Sequence, residues 1–330
     1  MSKTYLLIDL ANLFFRARHG RRGNLEDKVG LCIHTVLSSI RKAWRDFDGD
    51  HVIFMLEGRS WRKDFYAPYK RQRTEARAAQ SPKEMEEDQV FWETFDEFKS
   101  FIQEKTNCTV LHNPQLEADD LIAGWVQAHP NDSHVIISTD GDFAQLIAPN
   151  VKQYNGMTEI TTTHEGYFDA KGKAIVDNKT KAIKPKPEPE WLLFEKCMRG
   201  DTSDNIFSAY PGVREKGTKN KVGLRDAFAD RNTKGFNWNN MMLQRWVDHE
   251  GVEHRVLDDY NRNVLLCDLT AQPVNIKQAI KTTIDTEIEK NKSVLQVGTR
   301  LLKFCAEYNL VKISEQAQSY AAPLNARYAT

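Results

Sequence analysis

Short apolar runs rich in β-branched residues alternate with helical patterns along the first half of the chain. The runs are TYLLID (4–9), HVIFML (51–56), CTVLH (108–112), HVIIS (134–138) and VKQY (151–154). Runs of this length predict buried β-strands, and the helical patterns between most of them predict crossover helices. The fold class that follows is α/β, with a central, largely parallel sheet flanked by helices.

One long segment between the second and third runs carries an apolar stripe. Phe91, Phe95, Phe98 and Ile102 recur at helical spacing within a strongly acidic stretch. Because these side chains share one helix face, the stripe predicts a helix that packs on the core and forms no site.

The second half of the chain has a different character. After Asn155 it is Thr-rich and then Lys/Pro-rich, in KTKAIKPKPEPEW, which predicts a surface excursion or linker. From Trp191 onward most segments have helical patterns. We therefore predict an α/β core at 1–190, a mostly helical region at 191–320 and a loose, flexible tail at 321–330.

The composition excludes several classes of protein. Of the 330 residues, 40% are hydrophobic and 28% are charged, a balance typical of a globular chain with one or two cores. The five cysteines are far apart and form no C-x-x-C pair, which argues against a zinc site or a disulfide framework. The N-terminal apolar stretch is too short to span a membrane and lacks a signal cleavage site. We expect a cytoplasmic monomer with no membrane partner.

The formal net charge of zero conceals two opposite local balances. From Arg59 to Arg77 there are seven basic residues and two acids, whereas from Glu84 to Glu97 there are seven acids and no base. The first segment can therefore attract a polyanion although the whole chain is neutral.

Acidic residues follow the ends of the predicted strands. Seven carboxylates occupy such positions, namely Asp9, Glu57, Glu117, Asp119, Asp120, Asp140 and Asp142. In a parallel sheet these strand ends lie on one edge, where α/β proteins place their ligands. The motif RGDTSDN adds Asp201 and Asp204 further along the chain.

Each of these acids also has an ordinary structural interpretation. Glu117, Asp119 and Asp120 suit the first turn of a helix, Asp140 with Gly141 suits a turn, and Asp201 suits a cap. Independent caps and turns have no reason to gather on one edge, where like charges raise each other's pKa unless a cation neutralises them. Only hard oxygen ligands are present, so Mg²⁺ is the expected ion, with Mn²⁺ able to substitute. The number of acids favours two ions over one, an arrangement that suits phosphodiester hydrolysis.

Two basic segments are candidates for nucleic-acid contact. EGRSWRKDFYAPYKRQRTEAR (57–77) interleaves cations with aromatic rings, a composition that suits single-stranded nucleic acid. Such a run alone is more often a solvated helix face, but its position beside the acids favours the binding interpretation. YPGVREKGTKNKVGL (210–224) is a weaker candidate for a loop that grips a phosphate backbone. The residues concerned are Arg59, Arg62, Lys63, Tyr69, Lys70, Arg71 and Arg73 in the first segment, and Gly212, Arg214, Lys216, Lys219 and Lys221 in the second.

Taken in order, LLIDLAN, EGRSWRKDFYAPYKRQR, LEADDLIA, STDGDF and MRGDTSDN resemble the signature set of the 5′ nuclease or flap endonuclease family. The nearest resemblance is to the phage-type enzymes called ribonuclease H in the T-even phages, relatives of the 5′-3′ exonuclease domain of bacterial DNA polymerase I. The resemblance spans residues 4 to about 230. It implies a helical arch at about 57–105 and a DNA-binding hairpin at about 205–230 within a helix-hairpin-helix-like element.

The resemblance also implies roles for individual residues. Asp9, Glu57, Glu117 and Asp119, with Asp120 alongside, match the first metal group, and Asp140, Asp142, Asp201 and Asp204 match the second. Lys70 and Arg73 match the arch residues that approach the scissile phosphate, so the catalytic candidates are Lys70, Arg73, Asp9 and Asp140. Two departures matter: Glu57 stands where the family most often has Asp, and PGVREKGTKNKVG replaces the usual glycine-rich hairpin.

The activity implied is a magnesium-dependent 5′-3′ exonuclease, flap endonuclease and ribonuclease H that removes RNA primers and 5′ flaps during DNA replication. Its expected partners are DNA with a 5′ flap or a single-stranded 5′ end, RNA·DNA hybrid, and a single-strand-binding protein or other replication proteins. Two alternatives are a phosphatase of the haloacid-dehalogenase type, which also uses a D-x-D after a strand, and a noncatalytic nucleic-acid-binding replication factor. A small ribonuclease toxin fits the acids, but the chain is long for that role.

Overall fold

The computed structural model describes residues 2–18 and 24–329. Its strands are β1 Thr4–Asp9, β2 His51–Met55, β3 Thr109–Leu111, β4 Ser133–Ile137, β5 Val151–Asn155, β6 Ile160–Thr163, β7 Gly166–Phe168, β8 Arg245–Val247 and β9 Glu253–Arg255. The first five coincide, within one or two residues at each end, with the five apolar runs of the sequence. The prediction of these strands is confirmed.

Helices occupy most of the remaining described residues. In chain order they are α1 Leu10–Ala17, α2 Leu25–Asp46, α3 Arg62–Phe65, α4 Arg71–Ala78, α5 Pro82–Lys105, α6 Ala118–Ala128, α7 Pro189–Arg199, α8 Leu224–Ala229, α9 Phe236–Met242, α10 Val256–Cys267, α11 Val274–Glu289, α12 Val297–Glu307, α13 Val311–Ser314 and α14 Ala317–Asn325. A short 3₁₀ helix covers Gly141–Leu146.

The central sheet has seven strands in the order β3-β2-β1-β4-β5-β6-β7. The first five pair in parallel, and β6 and β7 add antiparallel pairs. The predicted α/β class with a largely parallel sheet is therefore confirmed. The chain builds outward from β1 to β3 and then returns to place β4 on the other side of β1. This change of direction opens a crevice beyond the carboxyl ends of β1 and β4.

The helices around the sheet follow from local sequence signals. The side-chain carboxylate of Glu84 accepts from the N–H of Ser81, and the Ser81 hydroxyl accepts in return from the N–H of Glu84, so this capping box with Pro82 defines the start of α5. The predicted stripe of α5 is buried at Phe91, Phe95, Phe98 and Ile102, as expected for a core-facing face.

The chain divides into two compact units. Unit 1 comprises residues 1–59, 80–187 and 274–330, and unit 2 comprises 60–79 and 188–273. The sequence predicted one break near 190 and assigned 57–105 to the first domain. The structure differs because α3 and α4 pack within unit 2, and because α11 to α14 pack on the α/β core of unit 1. Such recombination of distant segments leaves no local trace in the sequence.

The prediction of a loose tail at 321–330 is wrong for residues 321–325, which belong to α14, and residue 330 lies outside the described residues. Leu324 is fully buried in the core of unit 1. The carbonyl oxygen of Ala326 lies 3.1 Å from Nδ1 of His51, whose Nε2 lies 2.8 Å from the hydroxyl of Thr109. Burial lowers the pKa of His51 to about 4, so the imidazole is neutral and its Nδ1–H donates to Ala326.

The segment after Asn155 is also more regular than the predicted linker. Residues 160–168 form β6 and β7 and widen the sheet, and main-chain bridges continue the pairing between Phe168 and Ala174 and between Val176 and Ile183. The period-2 signal is weak here because β6 is half-buried along its length and consists of Ile and three Thr.

In the described residues, no helix has the length and apolar character needed to cross a membrane. All five cysteines lie in the described residues, are buried and form no disulfide, as expected for packing residues.

Candidate active site

Asp9 lies at the end of β1 in unit 1, and its side chain contacts the residue that follows β4. It is the last residue of β1 and caps α1, with Oδ1 accepting from the N–H of Asn12 at 3.3 Å. Its Oδ2 accepts from the hydroxyl of Ser138, just beyond β4, at 2.9 Å. The Asn12 side chain in turn accepts from the N–H and the hydroxyl of Thr139 at 3.0 and 2.8 Å. One carboxylate is therefore held rigidly at the crevice between the two strands.

Glu57, just after β2, reaches the start of α6. Its Oε2 accepts from the N–H of Ala118 at 2.9 Å, between two other predicted ligands. Gly58 makes this approach possible, because a Cβ there would lie 2.1 Å from the carbonyl oxygen of Asn113 and 2.7 Å from that of Leu116. The side chain of Glu57 thus spans the distance from the end of β2 to the start of α6.

The first turn of α6 concentrates three carboxylates, which we call the α6 acid cluster: Glu117, Asp119 and Asp120. One oxygen from each lies within 4.8 Å of the others, and the three together could hold a metal ion. Glu117 and Asp120 are buried, at 2% and 0% exposure, which a helix-dipole role alone does not require. Asp120 accepts from the N–H of Glu117 at 3.3 Å, and Asp119 accepts from that of Asp120 at 2.7 Å. Backbone donors thus hold like charges together.

Asp140 and Asp142 lie on the turn that follows β4. Oδ1 of Asp140 accepts from the N–H of Asp142 at 2.9 Å and starts the 3₁₀ helix. The side-chain amide of Gln153 on β5 supports this turn by donating to the carbonyl oxygens of Ser138 and Asp140 at 3.1 and 2.6 Å. The turn does not depend on the conformational freedom of Gly141, because its φ is not positive and a Cβ there would meet no atom within 4 Å.

Asp201 and Asp204 belong to unit 2, on a loop after α7. Gly200 shapes the loop, since its φ is +76° and a Cβ would lie 2.3 Å from the carbonyl oxygen of Ile206. Nζ of Lys196 lies 2.7 Å from Oδ2 of Asp201, and the N–H and hydroxyl of Ser203 both donate to Oδ1 at 2.7 Å. Burial raises the pKa of Asp201, but these donors outweigh it and lower the pKa to about 2.

Asp204 forms what we call the Asp204 ion-pair cluster with Lys70, Arg73 and Tyr69, all within unit 2. Oδ1 of Asp204 lies 2.7 Å from a guanidinium nitrogen of Arg73, and Oδ2 lies 3.7 Å from Nζ of Lys70 and accepts from the Tyr69 hydroxyl at 3.1 Å. The backbone joins them as well, because the N–H of Lys70 donates to the carbonyl oxygen of Asp204 at 2.8 Å. Asp204 therefore serves as a counterion of the two predicted arch cations, and as a metal ligand it would have to exchange these contacts.

Two predicted nucleic-acid contacts are corrected. Arg62 is fully buried, and its Nε donates to the carbonyl oxygen of Leu266 at 2.9 Å. Tyr69 is 2% exposed and packs against Ile206 and Leu266, so its ring is not available for stacking on a base. Arg62 and Tyr69 lie among cations in the sequence, and no local signal distinguishes them from their neighbours. In the structure, Arg59, Lys63, Arg71 and Arg73 are exposed and Lys70 is half-buried.

The second basic segment forms an exposed loop between α7 and α8. Gly212, Arg214, Lys216, Lys219 and Lys221 all lie on its surface. The loop closes on itself, because the N–H of Leu224 donates to the carbonyl oxygen of Arg214 at 2.9 Å and Gly217 packs directly on Gly223. Four cations are thereby presented on an ordered main chain.

The supporting residues Asn12, Ser138, Gln153 and Gly58 were not predicted. Asn12 lies inside the LLIDLAN motif and Gly58 directly follows Glu57. Their closeness in sequence to a predicted acidic ligand was the only signal that could have identified them as supporting residues. Gln153 lies on β5 and carries no local signal, because only the parallel pairing of β4 with β5 brings it to the turn.

Comparison with known proteins identifies the family. Residues 4–173 match the family profile described as 5′-3′ exonuclease, N-terminal resolvase-like domain. This range contains every predicted site residue of unit 1 and the basic segment 59–77.

Individual relatives agree with this match. The chain is 26% identical over 317 residues to DNA polymerase I of Rhizobium leguminosarum, covering 90% of this chain and 27% of that protein. It is 30% identical over 203 residues to ribonuclease H of Enterobacteria phage T4, covering 56% of each chain. The match thus spans a quarter to about half of the length of these relatives.

A solved structure has the same fold. The bacteriophage T5 D15 flap endonuclease, solved as a pseudo-enzyme-product complex with DNA and metal ions, aligns with a TM-score of 0.61 at 18% identity. The alignment covers 87% of this chain and 98% of that one.

Proposed function

We propose, from the premise that this chain belongs to the 5′-3′ exonuclease family, that it is a divalent-metal-dependent hydrolase of phosphodiester bonds acting at 5′ ends. The observation that carries the proposal is the α6 acid cluster, with Glu57 and Asp9 at the same carboxyl edge of the sheet. Three neighbouring carboxylates with oxygens within 4.8 Å of one another, two of them buried, supply the ligand set that a hard divalent cation prefers. The relatives named 5′-3′ exonuclease, ribonuclease H and flap endonuclease support the reaction class.

Mg²⁺ is the proposed ion, and the donors fit it. Every side chain of the α6 acid cluster offers carboxylate oxygen, the ligand type that hard divalent cations prefer. The proposed first group is Asp9, Glu57, Glu117, Asp119 and Asp120, and the proposed second group contains Asp140 and Asp142, all of them in unit 1. When bound, two divalent cations supply an activated water and neutralise charge on the phosphate and the leaving oxygen.

The residues of the chain have separate tasks in the proposed reaction. The hydrogen bonds of Asp9 to Ser138 and of Asp140 to Asp142 set the direction of two carboxylates before substrate arrives. Lys70 and Arg73 exchange part of their contact with Asp204 for the oxygens of a substrate phosphate. Such cations stabilise negative charge that develops on the phosphate during attack.

The proposed substrates are DNA with a 5′ flap or a single-stranded 5′ end and the RNA strand of an RNA·DNA hybrid, as in the removal of primers and flaps during replication. Exposed Arg59, Lys63 and Arg71 serve the single strand, and Arg214, Lys216, Lys219 and Lys221 serve duplex phosphates. The protein acts as a monomer, and a single-strand-binding protein or another replication protein is its proposed protein partner.

The test uses the full chain with a 5′-flap DNA and an RNA·DNA duplex, with Mg²⁺ or with EDTA, beside an Asp140→Asn variant. We expect cleavage only with the metal, and a rate at least about 100-fold lower in the variant, the loss typical of a missing electrostatic contact in the transition state. An Asp96→Asn variant is the matched control, since Asp96 is 63% exposed on α5.

Cleavage that survives both EDTA and Asp140→Asn would refute the proposal. Rapid hydrolysis of p-nitrophenyl phosphate without cleavage of either nucleic acid would support the phosphatase alternative. In the fold, however, the D-x-D follows β4, whereas that alternative requires it after an early strand. Metal-independent binding without cleavage would support a noncatalytic factor.

A further inference from the structure

The lysine extension, residues 169–187, carries a repeated motif outside the proposed active site. DAKGK (169–173) and DNKTK (177–181) share the pattern D-x-K-x-K, and Lys184 and Lys186 bring the total to six lysines against two acids. The family profile ends at residue 173, so the second copy lies beyond it.

Both motifs form tight turns of the same design. Oδ1 of Asp169 accepts from the N–H groups of Lys171 and Lys173, both at 2.9 Å. Oδ1 of Asp177 accepts from the N–H groups of Lys179 and Thr180 at 2.9 and 2.7 Å. The N–H of Lys173 contributes most to lowering the pKa of Asp169, and the N–H of Thr180 contributes most to lowering the pKa of Asp177. The two acids are thus used within their own turns, while the lysine side chains project from them.

The main chain orders the extension between the turns. The N–H of Ile175 donates to the carbonyl oxygen of Tyr167, and that of Lys184 donates to the carbonyl oxygen of Ile175, both at 2.8 Å. Lys184 is itself anchored, with Nζ 3.6 Å from the ring centroid of Tyr167. All six lysines are exposed. In the described part of the chain, none of their ammonium groups forms an ion pair.

The register of the sheet places the first turn relative to the acids of unit 1. Ile8 pairs with Ile137, Ile137 with Tyr154, Tyr154 with Thr161, and Thr161 with Phe168, which form one row across β1, β4, β5, β6 and β7. Asp9 and Asp169 each follow their row member at the same edge. Four strand spacings of about 4.8 Å separate them, about 19 Å in all.

The distances fit a double helix. At about 3.4 Å per base pair, 19 Å corresponds to about six base pairs from the acids. The second turn lies about 13 Å from the first along the strand direction, because residues 174–176 run antiparallel to β7 and return toward the amino edge of the sheet. The lysines of the first turn are therefore the ones nearest to a duplex on the carboxyl edge.

We infer that the lysine extension is an accessory binding surface for the phosphate backbone of duplex nucleic acid, about six base pairs from the acids of unit 1. This inference rests on the proposed function, since the substrate must lie across the carboxyl edge of the sheet. The ordinary explanation is that lysines protect an edge strand from aggregation. Protective lysines lie on the strand itself, whereas this strand carries Val176, 41% exposed, and its bridge partner is Ile183, 69% exposed.

The test compares two variants of the full chain with equal loss of charge. The first replaces Lys171, Lys173, Lys179 and Lys181 by Gln, and the control replaces Lys277, Lys281, Lys303 and Lys312, which are exposed lysines elsewhere in unit 1. Dissociation constants for blunt duplex DNA are measured in EDTA over a series of KCl concentrations. We expect the slope of log affinity against log salt to fall by about 2 to 4 in the first variant only, since each phosphate contact contributes about 0.9.

Substrates with different arms separate this inference from the proposed function. Flap substrates whose duplex arms are shorter than about six base pairs should be bound and cleaved equally by wild type and variant, whereas longer arms should show the difference. An unchanged salt slope overturns the inference even if the nuclease is active. Two further results overturn it: aggregation of the variant with unchanged DNA affinity, and loss of binding to phosphatidylglycerol/phosphatidylcholine vesicles with an unchanged salt slope. A reduced slope in a chain that cleaves nothing supports the inference and refutes only the proposed function.

Discussion

The first turn of α6 and the loop that carries Asp204 both concentrate charge, but their partners differ. In the α6 acid cluster three carboxylates of the same sign lie within 4.8 Å of one another, and backbone N–H groups orient them. In the Asp204 ion-pair cluster a single carboxylate, 8% exposed, is matched by Lys70 and Arg73.

The two clusters are therefore expected to have different effects on the stability of the fold. Opposite charges lower each other's energy within the chain, so the Asp204 ion-pair cluster stabilises the fold without a ligand. The like charges of the α6 acid cluster repel one another, so a divalent cation that binds there is expected to stabilise the cluster. Four substitutions test this contrast.

The largest effect is expected for Asp119→Asn in the α6 acid cluster. The rate of flap cleavage should fall about 100- to 1000-fold, because a charged contact to the reacting centre is lost. The free energy of unfolding in EDTA should stay the same or rise, since one of three like charges is removed and the Asn oxygen still accepts from the N–H of Asp120. Initial rates and urea unfolding measure the two quantities. A large loss of stability in EDTA would contradict the contrast.

Gly58→Ala should give the next largest effect. The added Cβ must displace the carbonyl oxygen of Asn113, which moves Glu57 from the N–H of Ala118. A displacement of this kind can cost up to about 100-fold in rate. Steady-state kinetics with a Mn²⁺ titration should also show a lower affinity for the metal, as a higher Mn²⁺ concentration at half-maximal rate. Gly141→Ala is the control and should be close to neutral, because a Cβ there meets no atom within 4 Å; a stronger effect of Gly141→Ala would contradict the role of Gly58.

Asp204→Asn should have the opposite sign for stability. The substitution leaves Lys70 and Arg73 without their charged acceptor, and we expect a loss of about 1–2 kcal/mol in the free energy of unfolding, a modest figure because Arg73 is half-exposed. Urea unfolding in EDTA measures it. Asp258→Asn in α10 is the control, since that side chain is 69% exposed and lies 4.0 Å from Arg255. Equal stability of the two variants would remove the ion pairs as a source of stability.

The smallest expected effect is the pH dependence of Asp201. The pKa of Asp201 is about 2 in the folded chain and near 3.8 in the unfolded chain. The ionised carboxylate therefore stabilises the folded chain above pH 4, and this contribution is lost as the pH falls toward 2. After allowance for solvent screening the contribution is about 1 kcal/mol. The difference in free energy of unfolding between wild type and Asp201→Asn, measured from pH 6 to pH 3, should shrink with acid. A difference that grows with acid would reverse the sign of the argument.

The strands and the acids at their ends could be predicted because both are local. β1 to β5 are short apolar runs bounded by polar residues, and Asp9, Glu57 and Asp140 directly follow strands or their turns. The divalent metal site and the family follow from these positions. The burial of Arg62 and Tyr69 could not be predicted, because the sequence around these two residues is the same basic and aromatic segment that surrounds the exposed cations.

Packing between distant segments decided the remaining features. Residues 60–79 join unit 2, residues 274–330 complete unit 1, and the end of α14 is buried. Each depends on contacts between residues that are far apart in the chain, and such contacts leave no periodic signal.

The sequence by itself determined which residue types follow each strand, and hence that carboxylates gather at one edge of a parallel sheet. Only the tertiary structure decided what each charge contacts: Glu57 the N–H of Ala118, Asp204 the cations Lys70 and Arg73, and Asp169 the N–H groups of its own turn. The physical reason is that strand periodicity is a property of neighbouring residues, whereas a hydrogen bond or an ion pair depends on distances of a few ångströms that only the packed chain defines.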